Sequence, residues 1–404
     1  MHADLSPLYS TDPRAREAQQ LLRACVHCGF CLATCPTYQV LGDERDSPRG
    51  RIYLIASMLQ GEEASERTLA HLDRCLTCLS CETTCPSGVR YGRLLDIGRE
   101  IAESTVPRSW MDSARRRLVR WIMPYPVRFR RLLSLAQLLR LALPRNLRRK
   151  VPVVAMAGAW PEPRHRRRML VPEGCVQSVL APSINAAAAR VLDRLGISLE
   201  TAPTATCCGA LSHHLAAPEE ARDFMRRNID AWLPYLDQGC EAIVATASGC
   251  GLMIKEYGTV LADDPEYRDK AARISAMSLD LAEIVGREFD IASSSAQGQT
   301  LALHNPCTLQ HGQKLADCVE QILRRAGFEL LPVADGHLCC GSAGTYSLLQ
   351  PELSQRLLKD KLEVLEARDP DGIATANIGC LAHLQTGTLR PVRHWIEWLD
   401  SARN

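Results

Sequence analysis

Eight cysteines within the first 85 residues restrict this chain more than any other feature. Cys25, Cys28, Cys31 and Cys35 are followed by Pro36; Cys75, Cys78, Cys81 and Cys85 are followed by Pro86. Both runs read C-x2-C-x2-C-x3-C-P. Three thiolates two residues apart wrap one corner of a cube of iron and sulfide, and its fourth iron needs a ligand from elsewhere. A zinc site takes four ligands and uses paired C-x2-C. That gives no reason for a triple run closed by x3-C-P, twice over. The chain holds 18 cysteines, yet residues 1–24 contain no apolar segment of an export signal. Metal chemistry in a reducing compartment is therefore expected, rather than a disulfide framework.

The repeated run is similar to that of bacterial ferredoxins, in whose two-cluster members the fourth cysteine of each run ligates the other cluster. The similarity implies one [4Fe–4S] cluster on Cys25, Cys28, Cys31 and Cys85, and a second on Cys75, Cys78, Cys81 and Cys35. The proline after the crossing cysteine turns the chain away and donates no N–H. Between the runs Ser47 can cap a helix with Pro48 in its first turn, ending near Gly61, and a second helix is expected over 62–73. This helical spacer resembles the ferredoxin module of respiratory iron–sulfur subunits. Helices at 50–60 and 91–103 should wall the clusters from water. Arg49 and Arg51 offset cluster charge, meet a partner or lie on a solvated helix start; the sequence leaves these open.

Residues 108–168 hold seventeen Lys or Arg against two acids, Asp112 and Glu162. Trp110, Trp121, Tyr125 and Phe129 interleave with them, and Leu132, Leu135, Leu139 and Leu143 recur at helical spacing. A basic amphipathic helix with interfacial aromatics over 108–150 reads as a membrane-surface element. A docking face for a partner subunit and a helix packed on its own protein are the alternatives. No recognition fold surrounds it, so no nucleic acid is expected. No run of eighteen apolar residues occurs, and no transmembrane helix is predicted.

From residue 169 the pattern is α/β and duplicated. Apolar residues make up 46% of the chain but aromatics only 5%, so aliphatic side chains and alanine must fill the cores. In the first half a strand leads to Cys175, a helix and strand to Cys207-Cys208-Gly209, and a helix and strand to Gly249-Cys250. The second half repeats this with Cys307, Cys339-Cys340-Gly341 and Gly379-Cys380. Thirty-two positions separate the first cysteine from the next in both halves. Alternating strands and helices imply a parallel sheet in each. The fold class is thus α+β multidomain: a helical ferredoxin-type domain (1–104), a basic linker (105–168) and two α/β domains (169–290 and 291–404). Loops at the ends of parallel strands build sites, and soft thiolates there suit an iron–sulfur cluster, a zinc ion or a redox disulfide. Each glycine after a cysteine pair is expected to admit close approach of backbone to a bulky ligand.

Two ferredoxin runs followed by two Cys-Cys-Gly domains resemble the glycolate oxidase iron–sulfur subunits. CTLQH (307–311), LCCGSAGTYSL (338–348), TANIGC (375–380), VRHWIEW (392–398), TASGCG (246–251) and KEYG (255–258) carry the resemblance. It implies a cysteine-rich region like that of heterodisulfide reductase and FAD-containing partner subunits that oxidise glycolate to glyoxylate. It also implies onward electron transfer to a quinone or membrane acceptor from the cytoplasmic face of the inner membrane. No G-x-G-x-x-G fingerprint is present, so no flavin is expected on this chain. Related complexes acting on lactate or glycerol 3-phosphate, a membrane-anchoring scaffold with structural clusters, and a self-contained disulfide reductase are the alternatives. In heterodisulfide reductase five thiolates hold an unusual cluster; here Ala247 and Asn377 replace one cysteine of each repeat. Four thiolates per half remain, with His213, His214 or His304 as substitute ligands.

Overall fold

The structure is a computed structural model and describes residues 4–141, 152, 154, 156–289 and 298–402. The chain forms two compact units. One takes in the chain up to Arg117 together with His214–Ala216 and Asp335–Lys361. The other comprises Leu118–His213, Ala217–Ala334 and the chain from Leu362 on.

The first unit is helical. Asp12 caps the Pro13–Arg23 helix through the Arg14 N–H at 2.9 Å. Ser47 caps Pro48–Leu59 through the Gly50 N–H at 3.0 Å, and Gly61 follows with a left-handed φ of 101°. Ser65 and Thr68 form a capping box at the start of Glu66–Asp73, so this helix begins four residues later than its expected start. Tyr91–Thr105 completes the set. Leu22, Ile55, Leu59, Leu72, Leu94, Leu95 and Ile97 are fully buried between these helices; each contributes about 1.5–3 kcal/mol by leaving water. Gly98 lets Tyr91–Thr105 cross Pro48–Leu59 closely, since a Cβ there would lie 2.6 Å from Ile55 Cγ1.

The second unit contains two four-stranded parallel sheets of identical order. Strands β1 (Arg167–Leu170), β2 (Ile197–Glu200), β3 (Ile243–Ala245) and β4 (Ser278–Asp280) lie in the order β2-β1-β3-β4. Strands β5 (Thr300–His304), β6 (Glu329–Leu331), β7 (Gly372–Thr375) and β8 (Val392–His394) lie as β6-β5-β7-β8. Register runs Arg167↔Ile197 and Ile243↔Ser278 in one sheet, Leu301↔Gly372 and Ile373↔Val392 in the other. The duplication read from the cysteines is therefore a duplication of topology. The fourth strand of each sheet lies beyond the sequence reading. Both are three residues long and run straight into a helix, for which Asp280 and His394 are the caps. Aliphatic residues and alanine fill the core, with Trp395 and Phe289 among its few buried aromatics.

The basic segment differs from the single amphipathic helix expected over 108–150. Trp110–Ile122 and Pro126–Leu138 are separate helices, broken at Pro124, and Leu139–Leu141 is a 3-10 turn. Leu143, Arg145, Arg148, Arg149 and Lys150 lie outside the described residues, as does the expected boundary at 290/291. Among the described residues no helix is long and apolar enough to cross a membrane.

Candidate metal centres

The two cysteine runs share one backbone path. His27 (φ 56°) and Gly29 (86°) in the first correspond to Thr77 (52°) and Leu79 (62°) in the second. Left-handed turns at non-glycine residues are costly and cluster where a site demands them. Here they flank Cys28 and Cys78, and such turns point successive backbone N–H groups into a concavity that suits an anion. The Thr77 N–H donates to Cys75 Sγ at 3.4 Å. Leu79 can hold its conformation because Gly92, without a Cβ, leaves room for its side chain, while Glu82 Oε1 accepts the Gly92 N–H at 2.6 Å.

Burial pushes the Cys31 thiol up to about 11; the Arg49 backbone N–H offsets part of this, and Cys25 and Cys35 add to it. Burial likewise raises Cys81 strongly, with Cys78, Cys75 and Cys35 adding negative charge. Cys35 thus lies near cysteines of both runs, Cys31 in its own and Cys75 and Cys81 in the second. Its Sγ is 3.3 Å from Thr37 Oγ1. Tyr91 Oη donates to Cys75 Sγ at 3.7 Å. Arg99 supports the same loop, donating to the carbonyls of Leu72 and Cys75 at 2.9 and 2.8 Å and to Thr77 Oγ1 at 3.1 Å.

A buried polar network completes the second centre. Asp46 is 0% exposed and accepts from His71 Nδ1 at 3.0 Å, Arg74 Nη1 at 3.0 Å and Arg51 Nη2 at 3.5 Å. Arg51, also 0% exposed, donates Nε to the His71 carbonyl at 2.7 Å and Nη2 to Thr37 Oγ1 at 3.2 Å. Its Nη1 has no hydrogen-bond partner among the described residues. An orphaned cationic donor beside Cys35 and Cys75 fits a polyanionic cluster and does not fit bare thiols. Of the readings open for the two arginines, burial removes the solvated one for Arg51, while Arg49 is half-buried and pairs with Glu44 at 2.5 Å. The sequence offers no signal for Asp46, His71 or Tyr91 as support, because their roles exist only through long-range packing.

In the first cysteine-rich repeat Cys175, Cys207 and Cys208 are buried and Cys250 partly so. The Cys207 thiol is raised by hydrogen bonding to Cys175 and to Cys208, and by burial; Cys250 is raised by its hydrogen bond to Cys208 and by burial. The four sulfurs therefore form one chain. Asn228 and Tyr257 fix the pair from behind: Asn228 Nδ2 donates to the Cys207 carbonyl and Tyr257 Oη to the Cys208 carbonyl, both at 2.9 Å. In the second repeat the units divide the cysteines. Cys307 and Cys380 belong to the sheet-containing unit, where a His304 ring nitrogen and Cys380 Sγ lie within 4.8 Å of each other. Asn377, standing where a fifth cysteine is absent, donates to Cys380 Sγ at 3.6 Å. Cys339 and Cys340 belong to the helical unit, where the Gly341 N–H donates to Cys339 Sγ at 3.4 Å. His214 Nδ1 pairs instead with Asp96 at 3.3 Å, and His213 is buried.

The glycines after the cysteine pairs also clear neighbouring backbone. Gly209 (φ +88°) faces the backbone of Pro218–Asp237 and Gly341 (φ +85°) that of Pro351–Glu366, where an added Cβ would lie 3.0 Å from the Ala221 carbonyl oxygen and 2.7 Å from that of Ser354.

The basic segment divides in use. Arg108 and Arg116 both reach Asp73 Oδ2 at 2.7 Å and serve the helical unit. Trp121, Val127, Leu132, Leu135 and Leu138 are exposed, and Val127, Arg130, Arg131, Leu135 and Leu138 line a shallow groove.

Paired thiolate loops on a helical platform, joined to two parallel-sheet repeats that end in cysteines, define an iron–sulfur electron-transfer protein of the dicluster type. Residues 21–89 match the family of 4Fe-4S dicluster domains, and 170–255 and 301–385 the family of cysteine-rich domains. The chain is 52% identical to the glycolate oxidase iron-sulfur subunit of Escherichia coli (strain K12), covering 100% of this chain and 99% of that one. It is 30% identical to the probable glycolate oxidase iron-sulfur subunit of Bacillus subtilis (strain 168), over 91% and 89%. It belongs to the glycolate oxidase iron–sulfur subunit family. A crystal structure of a hypothetical protein from Helicobacter pylori shares its fold with a TM-score of 0.60 at 10% identity, over 98% of this chain and 74% of that one.

Proposed function

We propose that this chain is the electron carrier of a glycolate-oxidising complex. It takes electrons from an FAD-containing partner that converts glycolate to glyoxylate and passes them toward a quinone or membrane acceptor. Oxidation of glycolate releases two electrons and two protons, and two one-electron centres accommodate the pair. The matched left-handed loops at His27/Gly29 and Thr77/Leu79 support two equivalent cluster sites, and the 52% identity to a glycolate oxidase iron-sulfur subunit supports the substrate. We assign Cys25, Cys28, Cys31 and Cys85 to one [4Fe–4S] cluster and Cys75, Cys78, Cys81 and Cys35 to the other. The nearness of Cys35 to Cys75 and Cys81 supports the crossing.

The same reading divides the chain functionally at about residues 104, 168 and 290. It gives Cys175, Cys207, Cys208 and Cys250 a further iron–sulfur cluster or zinc ion. Cys307, Cys339, Cys340 and Cys380 are the matching residues of the second repeat, with His304 beside Cys380 as an auxiliary ligand. The exposed leucines and arginines of Pro126–Leu138 support attachment to the cytoplasmic face of the inner membrane. The test is EPR of the anaerobically purified chain with its co-purifying partners, before and after glycolate. Cubane signals induced by glycolate are expected. Signals appearing only with dithionite would overturn the substrate, and no cubane signal at all would overturn the carrier role. Iron beyond the content of two cubanes, or stoichiometric zinc, would identify the occupant of the cysteine-rich sites.

A further inference from the structure

Arg51 is more deeply committed than a helix-capping or ion-pairing arginine needs to be. It is wholly buried, and its Nε and Nη2 are used on the His71 carbonyl, Thr37 and Asp46. Asp46, its one carboxylate partner among the described contacts, is shared with Arg74 and His71. One negative charge thus faces two guanidinium groups and an imidazole. A buried cation with an unused donor is destabilising unless something negative takes that donor. The thiols of Cys75 and Cys35 lie beside it.

We propose that Arg51 sets the reduction potential of the [4Fe–4S] cluster held by Cys75, Cys78, Cys81 and Cys35, by directing its free Nη1 at the cluster's sulfur. This rests on the carrier reading above. Four thiolates around an oxidised cubane form a net dianion, which one electron turns into a trianion with no proton taken up. A fixed cation in a water-excluded site attracts the trianion more strongly than the dianion, so Arg51 favours the reduced state. Thr77 N–H and Tyr91 Oη, both on Cys75, act in the same direction as neutral donors. Arg51 is a positioning and tuning residue, not a ligand.

The experiment is an EPR-monitored redox titration of the full chain with its clusters, using dithionite as the one-electron reductant. The relevant signal is assigned by its loss or alteration in Cys78→Ala. Arg51→Gln is expected to lower that cluster's reduction equilibrium constant at least tenfold, about 59 mV for a one-electron couple, and to leave the other cluster unmoved. Arg51→Lys, which keeps the charge but not the planar fork, is expected to give a smaller fall at the same cluster. Unchanged potentials in both variants with iron retained, or equal shifts at both clusters, would overturn the proposal. Loss of the cluster from both variants would overturn it too, assigning Arg51 to assembly. If the unmodified chain shows no cubane signal, the carrier reading itself fails.

Discussion

Replacing Gly341 with alanine tests why a glycine follows each cysteine pair. At φ +85° an L-residue costs about 1–2 kcal/mol. The new methyl would also sit 2.7 Å from the Ser354 carbonyl oxygen and 2.9 Å from Leu357 Cβ. Backbone cannot move aside as a side-chain tip can, and overpacking of this kind costs about 1–3 kcal/mol. The total is about 2–5 kcal/mol, a fall in Tm of roughly 5–15 °C for units of this size. Gly209→Ala has the same backbone cost (φ +88°), but its closest approach is 3.0 Å to the Ala221 carbonyl oxygen, so it should cost about 1–2 kcal/mol less. Melting and urea unfolding of both variants, metal-loaded and metal-stripped, separate two causes. A helix clash destabilises both forms, whereas crowding of a ligand destabilises only the loaded one. The reasoning is refuted if metal-stripped Gly341→Ala lies within about 0.5 kcal/mol of the unmodified chain, or if Gly209→Ala proves the costlier change.

Asp46→Ala leaves Arg51 buried without its carboxylate and should cost about 3–5 kcal/mol by urea unfolding; a loss below about 1 kcal/mol would mean that water reaches the network. Cys85→Ala should damage the cluster on Cys25, Cys28 and Cys31, and EPR showing that cluster intact with the other lost would reverse the crossed assignment. Neutralising Arg130 and Arg131 should weaken flotation with anionic vesicles by about 1 kcal/mol per residue; unchanged binding, or none at the start, would favour a protein partner for that face. Burial raises Asp280 to about 6. The folded chain therefore keeps a proton that the unfolded chain, with its ordinary value of 3.8, gives up. Stability should fall as pH rises from about 4 to 6 and stay about 3 kcal/mol lower above it, with Asp280→Asn flattening the profile of Tm against pH.

What the sequence makes visible is whatever is written locally. Ligand spacing, the Ser47-Pro48 helix start and the apolar runs at 197–200, 243–245 and 372–375 need no knowledge of distant residues. The strands Ser278–Asp280 and Val392–His394 are too short to show a period, and each ends in the cap of the next helix. Arg51 looks like any arginine in the first turn of a helix, because its burial is decided by Asp46, Thr37 and His71, up to 20 residues away. The glycine of Cys-Cys-Gly carries a conformational requirement that the sequence does show, but the helix backbone it must clear lies 12–13 residues on. The basic segment misleads for a related reason: Arg108 and Arg116 are bound to Asp73, 35 and 43 residues back.

The helical unit draws Asp335–Lys361 from near the far end of the chain. Tyr346 Oη donates to the Arg74 carbonyl at 3.0 Å, and Arg356 Nη2 to the Val40 carbonyl at 3.1 Å. During synthesis the ribosome must therefore deliver about nine-tenths of the polypeptide before the module carrying the first cysteines can close. Truncations that spare every ferredoxin-type cysteine but end before residue 335 remove these contacts to Arg74 and Val40 from the helical unit.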